Sequence, residues 1–221
     1  DMNRLWDDDV LDGARHSSEL DRAREMRPLI DTVDVLVDLH TMLWPSDPLI
    51  LCGSSRKGRA LALAIGQPEF VVADPGHASG RRLIDYARFA DSATTSTAIL
   101  VEAGQHWDPA SVDVTLAALA GLLRHLGLAD DDPVLPASRP AGGGHPRYAE
   151  VTAVITAATS SLSFVRPFRG GEVIPRRDTL IALDGGEEIR TPHDDCLLVM
   201  PSLRPGHGHT AIRLARFVAP D

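Results

Sequence analysis

Two polar residues close apolar, β-branched runs in this sequence. His40 follows VDVLVDL at 33–39, and Glu102 ends STAILVE at 96–102. In open α/β sheets, ligands gather outside the carboxyl ends of the strands, so both residues stand where chemistry is usually done. Burying either without a role would be costly. The chemistry in question for His40 is metal ligation. A metal-bound histidine needs an acceptor for its other ring N–H. Asp38 lies two residues earlier, on the same strand face, and is one candidate acceptor; a backbone carbonyl is another. Taken alone, a single His or Glu at a strand end is more often a hydrogen-bonded structural residue. One His and one Glu do not make a catalytic zinc site, which takes three protein ligands.

The elements that must position these residues alternate in type. Residues 19–30 (ELDRAREMRPLI) read as a helix capped by Ser17 or Ser18. VDVLVDL suits a strand buried on both faces. PLILCG (48–53), EFVVAD (69–74) and STAILVEAG (96–104) are further strands. Helices are expected over 54–66, over RRLIDYARFAD (81–91) and over 109–127, the last with Asp108 as cap and Gly127 at its end. Strands alternating with helices imply an α/β fold, a central sheet flanked by helices. A Pro/Gly-rich stretch at 130–146 then reads as a linker. After it come short β runs at 149–157, 179–184, 187–192, 196–201 and 210–218, broken by turns such as RGGE and DGG. The expected division is an α/β domain over 1–132 and a smaller β-rich C-terminal domain over 133–221.

Composition bounds the function. The chain has 221 residues, 43% hydrophobic and 24% charged, with 31 acidic and 22 basic residues and a formal net charge of −9. An acidic chain without a Lys/Arg cluster argues against nucleic-acid binding. No apolar run approaches the roughly 18–20 residues that span a membrane, so no membrane partner is expected. Cys52 and Cys196 sit in apolar strand contexts and read as buried free thiols. That favours a reducing, cytoplasmic setting.

Other candidates have plainer uses. His77 in DPGHASG reads as an exposed or loop-stabilising residue that could also approach the site. His106 follows VEAGQ and could support Glu102 from behind. His193, His207 and His209 fall in the β-rich tail, where GHGH looks like a metal tract but also like an ordinary Gly-rich loop. Trp44 and Trp107 flank the two strand-end motifs and would wall a pocket or pack in the core. No G-x-S-x-G nucleophile elbow is present, and CGSSRKG lacks the phosphate-loop spacing.

Three motifs in order carry more than any of these singly: DMNRLW at 1–6, VDLHTM at 37–42 and VEAGQ at 101–105. With the tail RGGEVIPRRDTLIALDGGEEIRTPHDDCLLVMP, they make the chain resemble the succinylglutamate desuccinylase/aspartoacylase family, relatives of the zinc carboxypeptidases. The resemblance covers nearly the whole chain. It implies a mixed central sheet of the zinc carboxypeptidase kind and a zinc-dependent hydrolase of a small N-acyl amino acid or related amide. His40 would be a zinc ligand, and Glu102 the general base that takes a proton from zinc-bound water and returns it to the leaving amine. Asn3 and Arg4 would hold a carboxylate of the amino-acid part, for which the planar guanidinium fork is suited.

The resemblance also implies what this stretch does not supply. In the family the other two zinc ligands come from a His-x-x-Glu motif upstream of Asp-x-Asn-Arg, as does the arginine that stabilises the carbonyl oxygen. Here that second motif opens at Asp1, so these groups are expected upstream of it. The aspartoacylase branch places a Tyr and an Arg shortly before the catalytic Glu; Tyr86, Arg88 and Arg81 are available but out of register, and read as packing and surface residues. The β-rich tail would narrow access to the site, favouring small substrates over polypeptides, or support a homo-oligomer. The alternative is a catalytically inactive small-molecule-binding protein on the same fold.

Overall fold

The chain forms one eight-stranded mixed sheet and one three-stranded antiparallel sheet. They are seen in a computed structural model that describes residues 1–77, 79–129, 135–136 and 146–219. A 3-10 turn at Met2–Arg4 leads into α1 (Asp8–Leu11) and α2 (Ser18–Ile30). Ser17 caps α2 by accepting from the Leu20 N–H, one of the orphan donors of a helix start. Then come β1 (Val35–Met42), β2 (Leu49–Leu51), α3 (Arg56–Ile65), β3 (Phe70–Ala73), α4 (Ala87–Ala90), β4 (Thr97–Gln105) and α5 (Ala110–His125). The rest is β structure: β5 (Arg147–Thr156), β6 (Ser163–Phe164), β7 (Val173–Ile174), β8 (Leu180–Asp184), β9 (Glu187–Arg190), β10 (Cys196–Val199) and β11 (Thr210–Phe217).

The large sheet runs β1-β4-β2-β3-β5-β11-β10-β7, and the small one β6-β8-β9. β1 and β4 are parallel, β4 and β2 antiparallel, and β2, β3 and β5 parallel. One ladder, β3 to β5, therefore joins the strands of the two halves of the sequence. The boundary expected near residue 133, and most of the 130–146 stretch, lie outside the described residues. In the β8–β9 hairpin, Gly185 and Gly186 both take positive φ (59° and 102°), as a two-residue hairpin turn requires.

Alternation sorts the strand residues between two cores. Ile50, Val71, Ile99 and Val101 face α3 and α5. Leu49, Leu51, Phe70, Val72, Ala98 and Leu100 face the opposite layer, which holds Trp6, Leu20 of α2, Tyr86 and Phe89. Glu102 continues the second register, two residues beyond Leu100. On β1, Leu36 packs in the same layer, so Asp38 and His40 follow it to that face.

Two expected elements differ. β1 is not buried on both faces: it stands at the end of the sheet order, its residues are mostly half-buried, and Leu39 is exposed. Residues 81–91 do not form one helix. A 3-10 turn at Leu83–Asp85 and α4 are separated by Tyr86 at φ −57°, ψ 140°. That extended residue seats its ring against Trp6 and Phe89 and its hydroxyl on Asp31 and Arg27, contacts a continuous helix would not allow.

Helix α5 crosses the end of α3 at Gly121, where an added Cβ would lie 2.4 Å from the Ile65 carbonyl oxygen. Backbone cannot retreat as a side-chain tip can. Gly121→Ala should therefore lose about 1–3 kcal/mol by overpacking, offset by at most about 1 kcal/mol of helix propensity. A thermal melt a few degrees below wild type is expected; an unchanged or raised midpoint would show that the two helices part freely.

Candidate active site

The β1–β4 ladder places His40 directly beside Glu102, at the carboxyl end of both strands. They open on a cavity of about 670 Å³ whose wall also includes Asn3, Arg4, Trp44, His77, Arg82 and Arg213. Four residues proposed from sequence are thus brought together: His40, Glu102, Asn3 and Arg4.

Asp38 holds the imidazole as the strand alternation predicts. His40 Nε2 lies 3.0 Å from Asp38 Oδ1. Asn3 Nδ2 donates to Asp38 Oδ2 at 3.1 Å and stands 3.4 Å from His40 Nε2. The Asn3 side-chain Oδ1 accepts the Leu83 N–H at 2.7 Å. Asn3 therefore ties the 3-10 turn, β1 and the 83–85 turn together. The hydrogen bond that His40 donates to Asp38 raises the His40 pKa, against the pull of burial.

Glu102 is 5% exposed, and its Oε2 has no hydrogen-bond partner among the described residues. Burial disfavours the charged form and pushes its pKa up to about 7, opposed by His40. The folded chain thus holds this proton across a range where the unfolded chain, with an ordinary value of 4.5, has released it. Stability from Glu102 is full below pH 4.5 and is lost as pH rises to about 7. Glu102→Gln cannot ionise and escapes that loss. Without added metal, its melting temperature relative to wild type should climb across this window, whereas a constant difference would contradict the raised pKa.

Behind the pocket lies a buried ion network. Arg82, 2% exposed, bonds Asp74 at 2.8 Å and Asp85 at 2.6 Å, and Asp74 is fully buried. Arg213 of β11 reaches the same Asp74 at 2.9 Å and donates from Nη2 to His77 Nε2 at 2.8 Å. Sequence reasoning missed Asp74, Arg82 and Arg213. The available signal was a charge inside an apolar strand pattern, Arg213 in TAIRLARFV and Asp74 closing FVVAD. His77 is half-buried on the cavity wall rather than exposed.

The remaining candidates separate clearly. Trp44 lines the cavity, while Trp107 is 73% exposed. His106 also lines it and hydrogen-bonds the Thr41 hydroxyl. His193 is buried between Thr152 and the Asp194 carbonyl, a structural role, and His207 and His209 are exposed. Tyr86, Arg88 and Arg81 bind Asp31, the Val33 carbonyl and Asp7, away from this cavity. Cys52 and Cys196 are buried free thiols. Among the described residues no helix is long and apolar enough to cross a membrane, and no group of three His, Cys, Asp or Glu could hold a metal ion. A His-x-x-Glu spacing does occur at His16–Glu19, downstream of Asn3 and Arg4 rather than upstream. It does not complete the site: the His16 side chain is 79% exposed beside Asp21, the Glu19 side chain is 55% exposed, and neither lines the cavity.

No family model and no curated protein matches the chain. Solved structures do. A succinylglutamate desuccinylase from Vibrio parahaemolyticus superposes with a TM-score of 0.68 at 17% identity, over 99% of this chain and 65% of that one. A succinylglutamate desuccinylase/aspartoacylase from Rhodobacter sphaeroides gives 0.70 at 15%, over 99% and 68%. The fold is that of the succinylglutamate desuccinylase/aspartoacylase structures. The product-bound ectoine utilization protein EutE of Ruegeria pomeroyi follows at 0.63 and 12%, over 97% and 66%. The chain thus spans about two thirds of the length of the structures it matches, 65% of the first. The resemblance read from the three motifs holds at the level of fold, including the mixed sheet.

Proposed function

We propose that this chain belongs to a zinc-dependent deacylase that hydrolyses the amide bond of a small N-acyl amino acid or related compound. The observation that carries the reading is the pairing of His40 with Glu102 at the cavity floor, with one Glu102 oxygen buried and unpartnered. A carboxyl with a pKa near 7 is matched to taking and returning a proton at neutral pH. In this reading Glu102 removes a proton from the attacking water and delivers it to the amine as the C–N bond breaks. Asp38 and Asn3 fix the His40 ring, and Arg4, with Asn3 beside it, holds a substrate carboxylate.

Zinc is part of the proposal. Its chemistry would be to bring the pKa of a water from about 15.7 towards about 7 and to polarise the carbonyl. The residues present fit it only in part: His40 supplies one imidazole, and the described residues offer no complete ligand set. The oligomeric state and a narrowing role for residues 133–221 belong to the same proposal.

The test is a screen of the full-length protein, supplied with zinc, against N-acetyl, N-succinyl and longer N-acyl amino acids, with free amine as readout. Release from at least one class is expected. Binding without release from any class would favour the inactive binding protein instead.

A further inference from the structure

The buried ion network behind the cavity treats its two arginines differently. Arg82 makes four hydrogen bonds: Nε and Nη2 donate to Asp85, and Nη1 and Nη2 to the Asp74 carboxylate and carbonyl. Arg213 does not. It is 4% exposed, yet among the described residues only its Nη2 makes a hydrogen bond, and that is to His77. Its Nε forms an ion pair with Asp74 Oδ2 at 2.9 Å but lies outside hydrogen-bonding angle. A buried guanidinium has five donors to satisfy, and leaving them unmade is expensive.

The partner chosen for Nη2 is informative. His77 is held neutral: burial first, then Arg213, Arg4 and Arg82, push its pKa down to about 3. A neutral imidazole orients a guanidinium without cancelling its charge. The carboxylate that Arg213 pairs with, Asp74, is shared with Arg82. Both Arg213 and His77 line the same cavity as His40 and Glu102. A purely structural arginine would instead be closed off by carboxylates, as Arg82 is.

We propose that Arg213, brought to the cavity by β11 and aimed by Asp74 and His77, binds a carboxylate of the ligand. It would act as an anchor separate from Arg4, contributed by the C-terminal half of the chain. The carboxylate could sit on the amino-acid part or at the far end of the acyl part; the recognition chemistry is shared. This inference rests on the N-acyl amino acid reading for its probes but not on turnover.

The test measures calorimetric binding of three probes to the full-length protein: N-acetylglycine, with a carboxylate on the amino-acid part; N-succinylglycinamide, with one on the acyl part; and N-acetylglycinamide, with none. Wild type should bind at least one carboxylate probe more tightly than the neutral one, by roughly 10- to 100-fold for a charge-assisted pair. Arg213→Met should abolish that advantage for the one probe whose carboxylate Arg213 holds, the other remaining with Arg4, and leave neutral-probe binding intact, which also reports that the fold survives. Arg213→Lys keeps a charge opposite Asp74 and should retain only part of the advantage, because an ammonium cannot reproduce the planar fork; it serves if the methionine variant does not fold. The probe that loses affinity names the part of the ligand held. Arg213→Met in which both carboxylate probes keep their full advantage, or full affinity of both in Arg213→Lys, overturns the proposal. So does a wild type that binds the neutral probe equally well, an outcome that leaves the deacylase reading standing. Arg213-dependent binding without hydrolysis of any amide would sink the deacylase reading alone, and no binding of any probe would sink both.

Discussion

Glu102→Gln should reduce amide hydrolysis by about 10²–10⁴-fold while leaving substrate binding nearly unchanged. Glutamine keeps the shape of the side chain, so the β1–β4 ladder and the apolar packing around Ala98 and Leu100 have no reason to move. What it loses is the ability to hold a proton in transit. The wild-type carboxyl is well suited to that task because burial sets its pKa near 7 and its Oε2 has no other partner. Steady-state kinetics separate the two effects: kcat should fall and KM stay close to wild type, the pattern of an interaction made only in the transition state. A full-rate Glu102→Gln protein would remove Glu102 from the chemistry.

Arg82→Met should lower stability by about 3–5 kcal/mol. The side chain is 2% exposed and joins Asp74, which is fully buried, to Asp85. Methionine fills similar space but leaves the Asp74 charge with the Gly76 N–H and with Arg213, whose contact is poorly angled. Removing one partner of a buried pair costs far more than the pair itself contributes, because the remaining charge is stranded. Arg169→Ala is the matched control. It breaks an ion pair with Asp47 whose partners are 56% and 41% exposed, and should cost no more than about 1 kcal/mol. Urea unfolding of the two variants checks the contrast, and equal losses would mean that the Arg82 network contributes no more than a surface pair.

The parts of this fold that sequence made legible are those where local pattern and tertiary environment agree. β2, β3 and β4 are apolar runs that the sheet interior buries, and α3 and α5 carry one apolar face each. Asp38, two residues from His40, was readable as its partner because strand alternation leaves little choice. Failures occur where distant contacts override local pattern. RRLIDYARFAD has helical periodicity, but Tyr86 is worth more inserted beneath Trp6 than exposed on a helix. β6 and β7 have two residues each, too short for any period. Of the site, the β1–β4 floor was visible through motifs at strand ends. The Arg82–Asp74–Arg213 wall was not, because it joins residues up to 139 positions apart by sequence number and no local spacing encodes that meeting.

The most direct measurement of the central claim is hydrolysis by the full-length, zinc-supplied protein in water enriched in oxygen-18. Amide hydrolysis requires that one solvent oxygen enter the released acid for each amine freed. The account predicts equimolar acid and amine from an N-acyl amino acid, with one labelled oxygen in the acid and none in the amino acid. Tight binding with no labelled acid, or acid released without solvent oxygen, would contradict it.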